Sequence, residues 1–286
     1  MLITEQARAK VNLTLQVLGR RPDGYHELAS LVGFASVADV VTLDVGRGAA
    51  VEVAGPFGGK ISSENLITHT LRKLREAEPR IVLGPVRLEK RLPVAAGIGG
   101  GSADAAAVLR AVRRANAELA SGIDWFGIAA GIGADVPVCL ANELTFMTGL
   151  GERLQTMPRL AEPLPAVLVN PLVAVPDDKT AQVFRALAAS PLAVEAQSCE
   201  APKAGSVEEA VAVITRVGND LEESARRVMP AVGEVLAALR ALPGCRVAAM
   251  SGAGPTCFGI FAEPAVAAAE LTAAHPRWWI EAVEIG

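Results

Sequence analysis

The sequence predicts an α+β fold in two domains, residues 1–157 and 158–286. A chain of 286 residues, of which 51% are hydrophobic and 20% charged, can bury a substantial core. Strand-like and helix-like segments mix along it without the regular alternation that is typical of a doubly wound sheet, and this favours α+β units. The proline-bearing stretch 157–165 interrupts the pattern, so we place the domain boundary there.

The first domain is predicted to open with a strand at residues 11–17, in which apolar and polar side chains alternate. Residues 19–24 then supply dense turn chemistry and end in an Asp-Gly pair suited to positive φ. The remaining predicted elements of this domain are strands at 39–45, 51–53 and 86–90 and helices at 65–74, about 102–119 and 124–130.

The second domain is predicted to contain a strand at 166–170 and a helix that starts near Thr180. Residues 186–209 are rich in Ala, Ser and Pro and are predicted to form a surface loop. The last predicted elements are a helix at 231–242 and strands at 247–250 and 256–261.

Composition and charge exclude several classes of protein. The net charge of −4, without a long basic run, argues against a general nucleic-acid or membrane-surface binder. No apolar stretch of about 20 residues is free of charges and prolines, so no membrane span is predicted. The start of the chain has no apolar signal core behind a basic segment, which predicts a cytoplasmic protein. Oligomeric state is not readable from these features.

The cysteines predict neither a disulfide framework nor a metal site. They are widely separated, with no CxxC pair and no neighbouring histidine pair, at positions Cys139, Cys199, Cys245 and Cys257. We therefore expect buried thiols in a reducing compartment and no metal-ligand set.

Residues 93–107, here called the glycine segment, lie between a predicted strand and a predicted helix. Four glycines within positions 97–101 would be costly inside either element, but they suit a backbone that closely approaches a ligand. Such a loop aims N–H groups and the positive end of the helix dipole at one anion, and Ser102 can cap the helix or contact a phosphate or its magnesium ion. The GxGxxG and Walker A patterns both fail here. A flexible turn or close helix packing is the alternative interpretation.

Asp135 and Lys10 are the candidate catalytic residues. Asp135 follows a Gly-x-Gly break inside an apolar stretch, where a carboxylate needs a partner or a task. On its own it is either a helix cap or a catalytic acid/base, and Lys10 on its own is an ordinary solvated lysine. Beside an anion-binding segment the two fit phosphoryl transfer, which requires positioning and charge neutralisation.

Taken together, these segments resemble the GHMP kinases over the whole chain. The resemblance rests on motifs at 9–13 (AKVNL), 21–28 (RPDGYHEL), 64–67 (ENLI), 90–93 (KRLP) with the glycine segment, 133–137 (GADVP), 219–222 (NDLE) and 251–254 (SGAG). It implies the two-domain GHMP kinase fold, with a ribosomal protein S5 domain 2-like N-terminal ATP-binding domain and a ferredoxin-like C-terminal domain. The run at 21–28 resembles the branch that phosphorylates the 2-hydroxyl of a cytidine-diphosphate-linked methylerythritol, in the non-mevalonate isoprenoid pathway.

The resemblance also implies the cofactors ATP and Mg²⁺ and a role for each site residue. Asp135 would accept the proton of the attacking hydroxyl, or act mainly as an electrostatic anchor, and Lys10 would hold it ionised. Tyr25 would stack on the cytosine and His26 would bond its edge. The implied substrate-binding residues are Asn12, Tyr25, His26 and Phe184, and the implied ATP-binding residues are Asn65, Lys90, Pro93, Gly97, Gly99, Gly100, Gly101 and Ser102. Judged without the family, Tyr25 and His26 are ordinary surface residues.

The sequence departs from the family pattern at several positions near the implied ATP site. Ala95 and Ala96 stand where the family often has glycines, and Asp104 stands where Asn or Asp both occur. Pro255 removes an N–H from the terminal glycine turn. The loop 176–179 is longer than expected for the family, and this bears on the assignment of Phe184, which follows it, to the substrate site.

Three rival functions remain open at this point. Another GHMP kinase, acting on homoserine, mevalonate or a sugar, is disfavoured by the Tyr25–His26 pair. A non-catalytic ligand sensor on the same fold is disfavoured because both Lys10 and Asp135 are present. A nucleotide-dependent oxidoreductase is disfavoured by the failed GxGxxG match.

Overall fold

The computed structural model describes residues 1–46, 48, 50–61, 65–193 and 199–286. It confirms the predicted α+β class. The strands are β1 (Leu2–Asn12), β2 (Gln16–Arg20), β3 (His26–Asp44), β4 (Val51–Ala54), β5 (Val86–Glu89), β6 (Thr145–Gly149), β7 (Arg153–Thr156), β8 (Leu164–Asn170), β9 (Val247–Met250), β10 (Cys257–Ile260) and β11 (Trp279–Ile285). The helices are α1 (Leu66–Ala77), α2 (Gly100–Ala115), α3 (Trp125–Ala130), α4 (Val136–Ala141), α5 (Lys179–Leu187), α6 (Val207–Val217), α7 (Glu222–Val228), α8 (Ala231–Ala241) and α9 (Pro264–Ala274).

These elements form two compact units that are interleaved along the sequence. Unit 1 consists of Met1–Lys10, Val37–Val94 and Gly99–Asn142. Unit 2 consists of Val11–Ser36, Ala95–Ile98 and Glu143–Gly286. The division into domains at residue 157 concerns sequence segments rather than these units, and it stays a prediction.

Unit 1 combines a small sheet with a helical layer. In its sheet, β5 pairs antiparallel with the second half of β3 and parallel with β4. The apolar face of α2 packs against α1 and α4. Its alanine-rich sequence keeps the helix slim, so that α1 and α4 can approach closely, and Leu109 and Val112 are fully buried there.

The N-terminus of α1 is fixed by a capping box. The Asn65 side chain accepts hydrogen bonds from the N–H groups of Ile67 and Thr68 at 2.9 and 3.2 Å. The Thr68 hydroxyl accepts one in return from the Asn65 N–H at 3.4 Å. The predicted apolar side of this helix is buried at Ile67, Thr70, Leu71 and Leu74.

Unit 2 is built on an antiparallel sheet in the order β11-β8-β10-β9, with helices packed against it. The first half of β3 pairs with β2 and β6 in the same unit. Strands β8, β9 and β10 are short, largely apolar runs, whereas β11 carries Glu281 and Glu284. Leu221, Val232 and Leu236, at the start of α7 and on α8, are buried in the same core as Val167.

Several predicted element bounds are corrected. The strand expected at 11–17 is interrupted between β1 and β2, because the N–H groups of Leu13 and Thr14 both donate to the Leu31 carbonyl and Leu15 forms an isolated bridge to Asn219. The helix expected to reach residue 119 ends at Ala115. The side-chain amide of the next residue, Asn116, donates a hydrogen bond to the Val112 carbonyl. The patterns did not anticipate helices α4, α6, α7 and α9, strands β6, β7 and β11, most of β1 or the first half of β3.

The structure describes part of the surface loop expected at 186–209. Helix α5 ends at Leu187, Pro191 forms an isolated β-bridge with Arg20, and α6 begins at Val207. Its residues 194–198, and Glu64 of the 64–67 motif, lie outside the described residues. Within the described part of the chain, no helix has the length and apolar character needed to cross a membrane.

Candidate active site

The end of β1 carries Lys10, whose ammonium donates a 2.7 Å hydrogen bond to Oδ1 of Asp135. The lysine side chain is 5% exposed, whereas the Asp135 carboxylate is 39% exposed. A lysine buried this deeply needs a counter-charge, and Asp135 supplies it. The carboxylate keeps an open side, so the pair can receive a polar group from solvent.

Asp135 is held at the start of α4. Its backbone takes the N-cap position, but its side chain makes no capping hydrogen bond, and Pro137 occupies the first turn that follows. The carboxylate is directed to Lys10 instead. Of the alternatives left open by the sequence, the helix cap therefore describes the backbone of Asp135 and not its side chain.

Arg110 on α2 braces the two elements that carry this ion pair. Its guanidinium donates to the carbonyl of Cys139 on α4 at 2.9 Å and to the carbonyl of Gln6 on β1 at 2.8 Å. It also pairs with Glu5 at 3.2 Å. Burial raises the pKa of the Cys139 thiol to about 12, so this neighbouring group stays protonated and is no competing nucleophile.

Gly99 brings the start of α2 onto the Lys10 side chain. It is the N-cap of α2 with φ +62°, and a Cβ there would lie 3.1 Å from Cβ and 3.3 Å from Cε of Lys10. Both the left-handed backbone and this close approach favour glycine. The first backbone hydrogen bond of α2 runs from the Ala103 N–H to the Gly99 carbonyl. The N–H groups of residues 100–102 therefore lie outside the helical ladder, as an anion site at a helix start requires.

Lys90 is buried beneath this helix start rather than presented to a ligand. Its ammonium donates to Asp104 at 2.7 Å and to Asp39, and it lies 3.1 Å from the ideal Cβ position of Gly100. Asp39 also accepts the N–H groups of Arg91 and Leu92, at 2.5 and 2.8 Å. The buried cluster of Asp39, Lys90 and Asp104 thus ties β3 and the chain after β5 to the first turn of α2.

The ionisation of this cluster is strongly perturbed. Burial raises the pKa of Asp104 to about 7, with the Lys90 ammonium opposing the shift and Asp39 adding to it. Burial lowers the pKa of Lys90, but the two carboxylates outweigh it and raise the pKa above its usual value. Among the described residues, Oδ1 of Asp104 is one of the buried side-chain atoms without a hydrogen-bond partner. A protonated Asp104 would relieve the repulsion between the two acids.

Asn65, Pro93 and Ser102, three other residues assigned to ATP, lie in unit 1. The Asn65 side-chain oxygen caps α1, Pro93 is buried, and Ser102 is half-buried in the first turn of α2. Gly101 is exposed at that turn. Gly97 belongs to unit 2 with residues 95–98.

The residues assigned to the cytidyl substrate all lie in unit 2. The rings of His26 and Phe184 stack with centroids 4.8 Å apart at 27°. The Tyr25 side chain is 64% exposed. Burial, with a smaller effect of Arg20, lowers the pKa of His26, so its imidazole is neutral at pH 7.

Asn12 is buried in the same unit and bonded on several sides. Its side-chain amide donates to the Ser30 hydroxyl at 2.7 Å, and its backbone N–H donates to the Ser251 hydroxyl at 3.1 Å. The Ser251 hydroxyl donates in turn to the Gly97 carbonyl at 3.1 Å. Asn219 holds the same turn through the carbonyls of Met250 and Gly252 at 2.7 and 2.9 Å. Asn12 is therefore linked to the glycine segment through the turn that follows β9.

Sequence reasoning missed Asp39 and Lys179. Asp39 lies in the apolar run 37–41, and a lone charge in a buried strand is a signal that could have found it. Lys179 ends the unexpectedly long loop 176–179, and its ammonium donates to the carbonyls of Ala95 and Gly254. The length of that loop is visible in the sequence, but no sequence pattern indicates that Lys179 contacts the glycine turn at Gly254.

Comparison with known proteins gives matches over the whole chain. The sequence models of the GHMP kinases N terminal domain and of the GHMP kinases C terminal match residues 65–143 and 197–280. A 4-diphosphocytidyl-2-C-methyl-D-erythritol kinase of Rhodopseudomonas palustris is 47% identical, over 99% of this chain and 97% of its own.

Solved structures agree with this. A crystal structure of 4-(cytidine 5'-diphospho)-2C-methyl-D-erythritol kinase is 35% identical, covers 99% of both chains and superposes with a TM-score of 0.75. A homoserine kinase from Cytophaga hutchinsonii is 18% identical, covers 99% of this chain and 95% of its own, and has a TM-score of 0.70. That second likeness extends to the fold alone.

Proposed function

The chain belongs to the GHMP kinases and, within them, to the family of 4-diphosphocytidyl-2-C-methyl-D-erythritol kinases, and we propose on this premise that it transfers the γ-phosphoryl group of ATP to the 2-hydroxyl of 4-diphosphocytidyl-2-C-methyl-D-erythritol. This would be a step of the non-mevalonate isoprenoid pathway. The observation that carries the chemistry is the Lys10–Asp135 ion pair, 2.7 Å long and partly open to solvent on its acidic side.

In the proposed reaction Asp135 orients the substrate hydroxyl and accepts its proton as the oxygen attacks phosphorus. The bond between the γ-phosphorus and the oxygen that bridges it to the β-phosphate breaks, and ADP leaves with the electron pair. Lys10 keeps the carboxylate in place through their hydrogen bond and offsets negative charge that develops nearby. Charge neutralisation and positioning, rather than covalent catalysis, then account for most of the acceleration.

The start of α2 supports the use of ATP by this mechanism. Gly99 has a left-handed backbone, and a Cβ at this position would press on the Lys10 side chain. The N–H groups of residues 100–102, at the start of the helix, are free of helical hydrogen bonds and can serve a phosphate. Within the described residues, no group of three or more His, Cys, Asp or Glu side chains could hold a metal ion. A Mg²⁺ ion bound with the nucleotide would be held by phosphate oxygens, and the Ser102 hydroxyl in the first turn of α2 is a candidate protein ligand for it. Such an ion neutralises phosphate charge.

Recognition of the cytidyl group is proposed for Tyr25, His26 and Phe184. The His26–Phe184 stack gives a rigid aromatic surface, and the exposed Tyr25 ring offers a second face for a planar base. A neutral imidazole has one donor and one acceptor, which suits the edge of cytosine. Asn12 is proposed as a further substrate-binding residue, held in place by its hydrogen bonds to the Ser30 and Ser251 hydroxyls.

The experiment that tests the proposal is a panel of acceptor alcohols. Purified protein with ATP and Mg²⁺ is supplied in turn with the cytidyl substrate, mevalonate, homoserine and galactose, and ADP formation is measured. We expect turnover with the cytidyl substrate only. Turnover with another alcohol would overturn the substrate, and no turnover with any of them would favour a ligand sensor over a kinase.

A further inference from the structure

Lys179, the first residue of α5, is a buried lysine that bonds to backbone carbonyls. Its ammonium donates to the carbonyl of Ala95 at 3.1 Å and to the carbonyl of Gly254. Within the described part of the chain no carboxylate forms an ion pair with it, and burial lowers its pKa to about 8. A buried cation with neutral partners is costly, so its position needs an explanation.

Ala95 is one of the chain's departures from the glycine-rich pattern and has a strained backbone. Its φ is +56°, a left-handed conformation that glycine adopts freely and alanine does not. A residue of this kind keeps its conformation only where its surroundings impose it. The charge-assisted hydrogen bond from Lys179 to the Ala95 carbonyl is such a restraint.

The second carbonyl belongs to the turn that packs on the same part of the glycine segment. A Cβ on Gly97 would lie 2.5 Å from the Gly254 carbonyl oxygen, so the two backbones are in close contact. The Thr256 N–H donates to the Ala96 carbonyl at 3.1 Å. Pro255, between them, has no N–H to donate. Lys179 therefore supplies donors at the junction of two turns, next to a residue that offers none.

We propose that Lys179 is a positioning residue for the ATP site: its ammonium clamps residues 95–98 to the 252–255 turn and thereby holds this part of the glycine segment, which includes Gly97, in the conformation that receives ATP. This inference rests on the proposed function, because it assumes that the glycine segment binds ATP. It explains why this chain tolerates Ala95 at a left-handed position.

The test combines Lys179→Met with Ala95→Gly. Methionine keeps the apolar stem of the lysine but removes its donors, so residue 95 loses its restraint. We expect the dissociation constant for ATP to rise about tenfold, the size expected for losing a hydrogen bond to a charged group. The KM for the cytidyl substrate should stay within about twofold at saturating ATP. Ala95→Gly in the Lys179→Met background should recover most of the ATP affinity, because glycine adopts the required φ without help.

Lys203→Met is the control for Lys179→Met. Lys203 is an exposed lysine, so its replacement should leave ATP affinity unchanged. Unchanged ATP affinity in Lys179→Met, or a loss that Ala95→Gly does not repair, would overturn the clamp. If Lys179→Met does not fold, Lys179→Gln is compared with the Lys179→Gln, Ala95→Gly double variant. Glutamine keeps part of the donor capacity, and the criterion stays the same: ATP affinity should fall and Ala95→Gly should restore it.

Calorimetric titration with ATP alone separates this inference from the proposed function. If the unaltered protein binds ATP and Lys179→Met binds it equally well, only the clamp is wrong. If the unaltered protein binds no ATP, the proposed function fails first, and the clamp fails with it.

Discussion

Two residues of opposite charge define the chemistry that this chain can perform. Lys10 and Asp135 are 125 positions apart in sequence, yet their side chains meet at 2.7 Å. The Lys10 side chain is buried, whereas the Asp135 carboxylate is partly exposed. The lysine therefore fixes the carboxylate in place, and a substrate hydroxyl can reach the carboxylate from solvent. Arg110 fixes the relative position of the two residues, because it bonds to β1, which carries Lys10, and to α4, which Asp135 precedes.

Asp135→Asn tests the role of the carboxylate. The amide keeps the size of the side chain and an oxygen for Lys10, but it cannot accept a proton. We expect kcat to fall by about 10²–10⁴, the usual range for a lost general base, with KM for both substrates changed little. Steady-state kinetics and a circular dichroism spectrum provide the measurement.

Asp124→Ala is the matched control for that variant. Asp124 is also an aspartate at the N-cap of a short helix in unit 1, but its side chain does cap, accepting the Gly127 N–H at 2.8 Å. Its loss should cost about 1 kcal/mol of stability and leave kcat unchanged. Turnover close to that of the unaltered protein in Asp135→Asn would reject Asp135 as the proton acceptor and, because asparagine carries no charge, as an electrostatic anchor too.

Tyr25→Ala tests the stacking surface. Because Tyr25 is 64% exposed, its removal should hardly affect stability, whereas the loss of one base–aromatic stack should raise KM for the cytidyl substrate about tenfold or more. Tyr25→Phe keeps the ring and should resemble the unaltered protein. A KM that stays the same in Tyr25→Ala would remove Tyr25 from the substrate site.

At the scale of elements, the start of α2 is where most restraints converge. Gly99 lies on Lys10, and the cluster of Asp39, Lys90 and Asp104 anchors the first turn from below. The resemblance assigns Lys90 to ATP, and this stays a prediction. In the structure the Lys90 ammonium pairs with two carboxylates within the protein, so its contribution to ATP binding would include holding the start of α2 in position.

Asp104→Asn tests the ionisation of this cluster. The folded-state pKa of Asp104 is raised to about 7 from an ordinary value of 3.8, so the folded protein binds more protons between these pH values than the unfolded chain does. Stability from this group is full below about pH 4 and is lost as pH rises to about 7. Relative to Asp104→Asn, which does not titrate, the unaltered protein should become less stable from pH 4.5 to pH 8. Urea unfolding at both pH values measures this, and a constant difference would contradict the raised pKa.

At the scale of the whole molecule, the α+β class and the apolar faces of α1 and α2 followed from periodicity in the sequence. The same patterns failed at Leu13 and Thr14, which share one carbonyl instead of continuing a strand, because a distant partner decides that geometry. The contacts of Lys179 were equally unpredictable, since they join residues 75 and 84 positions away. The pairing of Lys10 with Asp135 was expected from the chemistry of phosphoryl transfer, and the resemblance of both motifs to one family strengthened it.

The most direct test of the central claim is the position of the new phosphate in the product. After turnover with ATP, the ³¹P spectrum of the purified product is recorded with and without proton decoupling. Carbon 2 of the substrate bears the methyl group and no hydrogen, so a phosphate on its oxygen should give a monoester resonance without three-bond coupling to a proton. A resonance split by proton coupling would place the phosphate on another hydroxyl, and release of the γ-phosphate as inorganic phosphate would contradict transfer altogether.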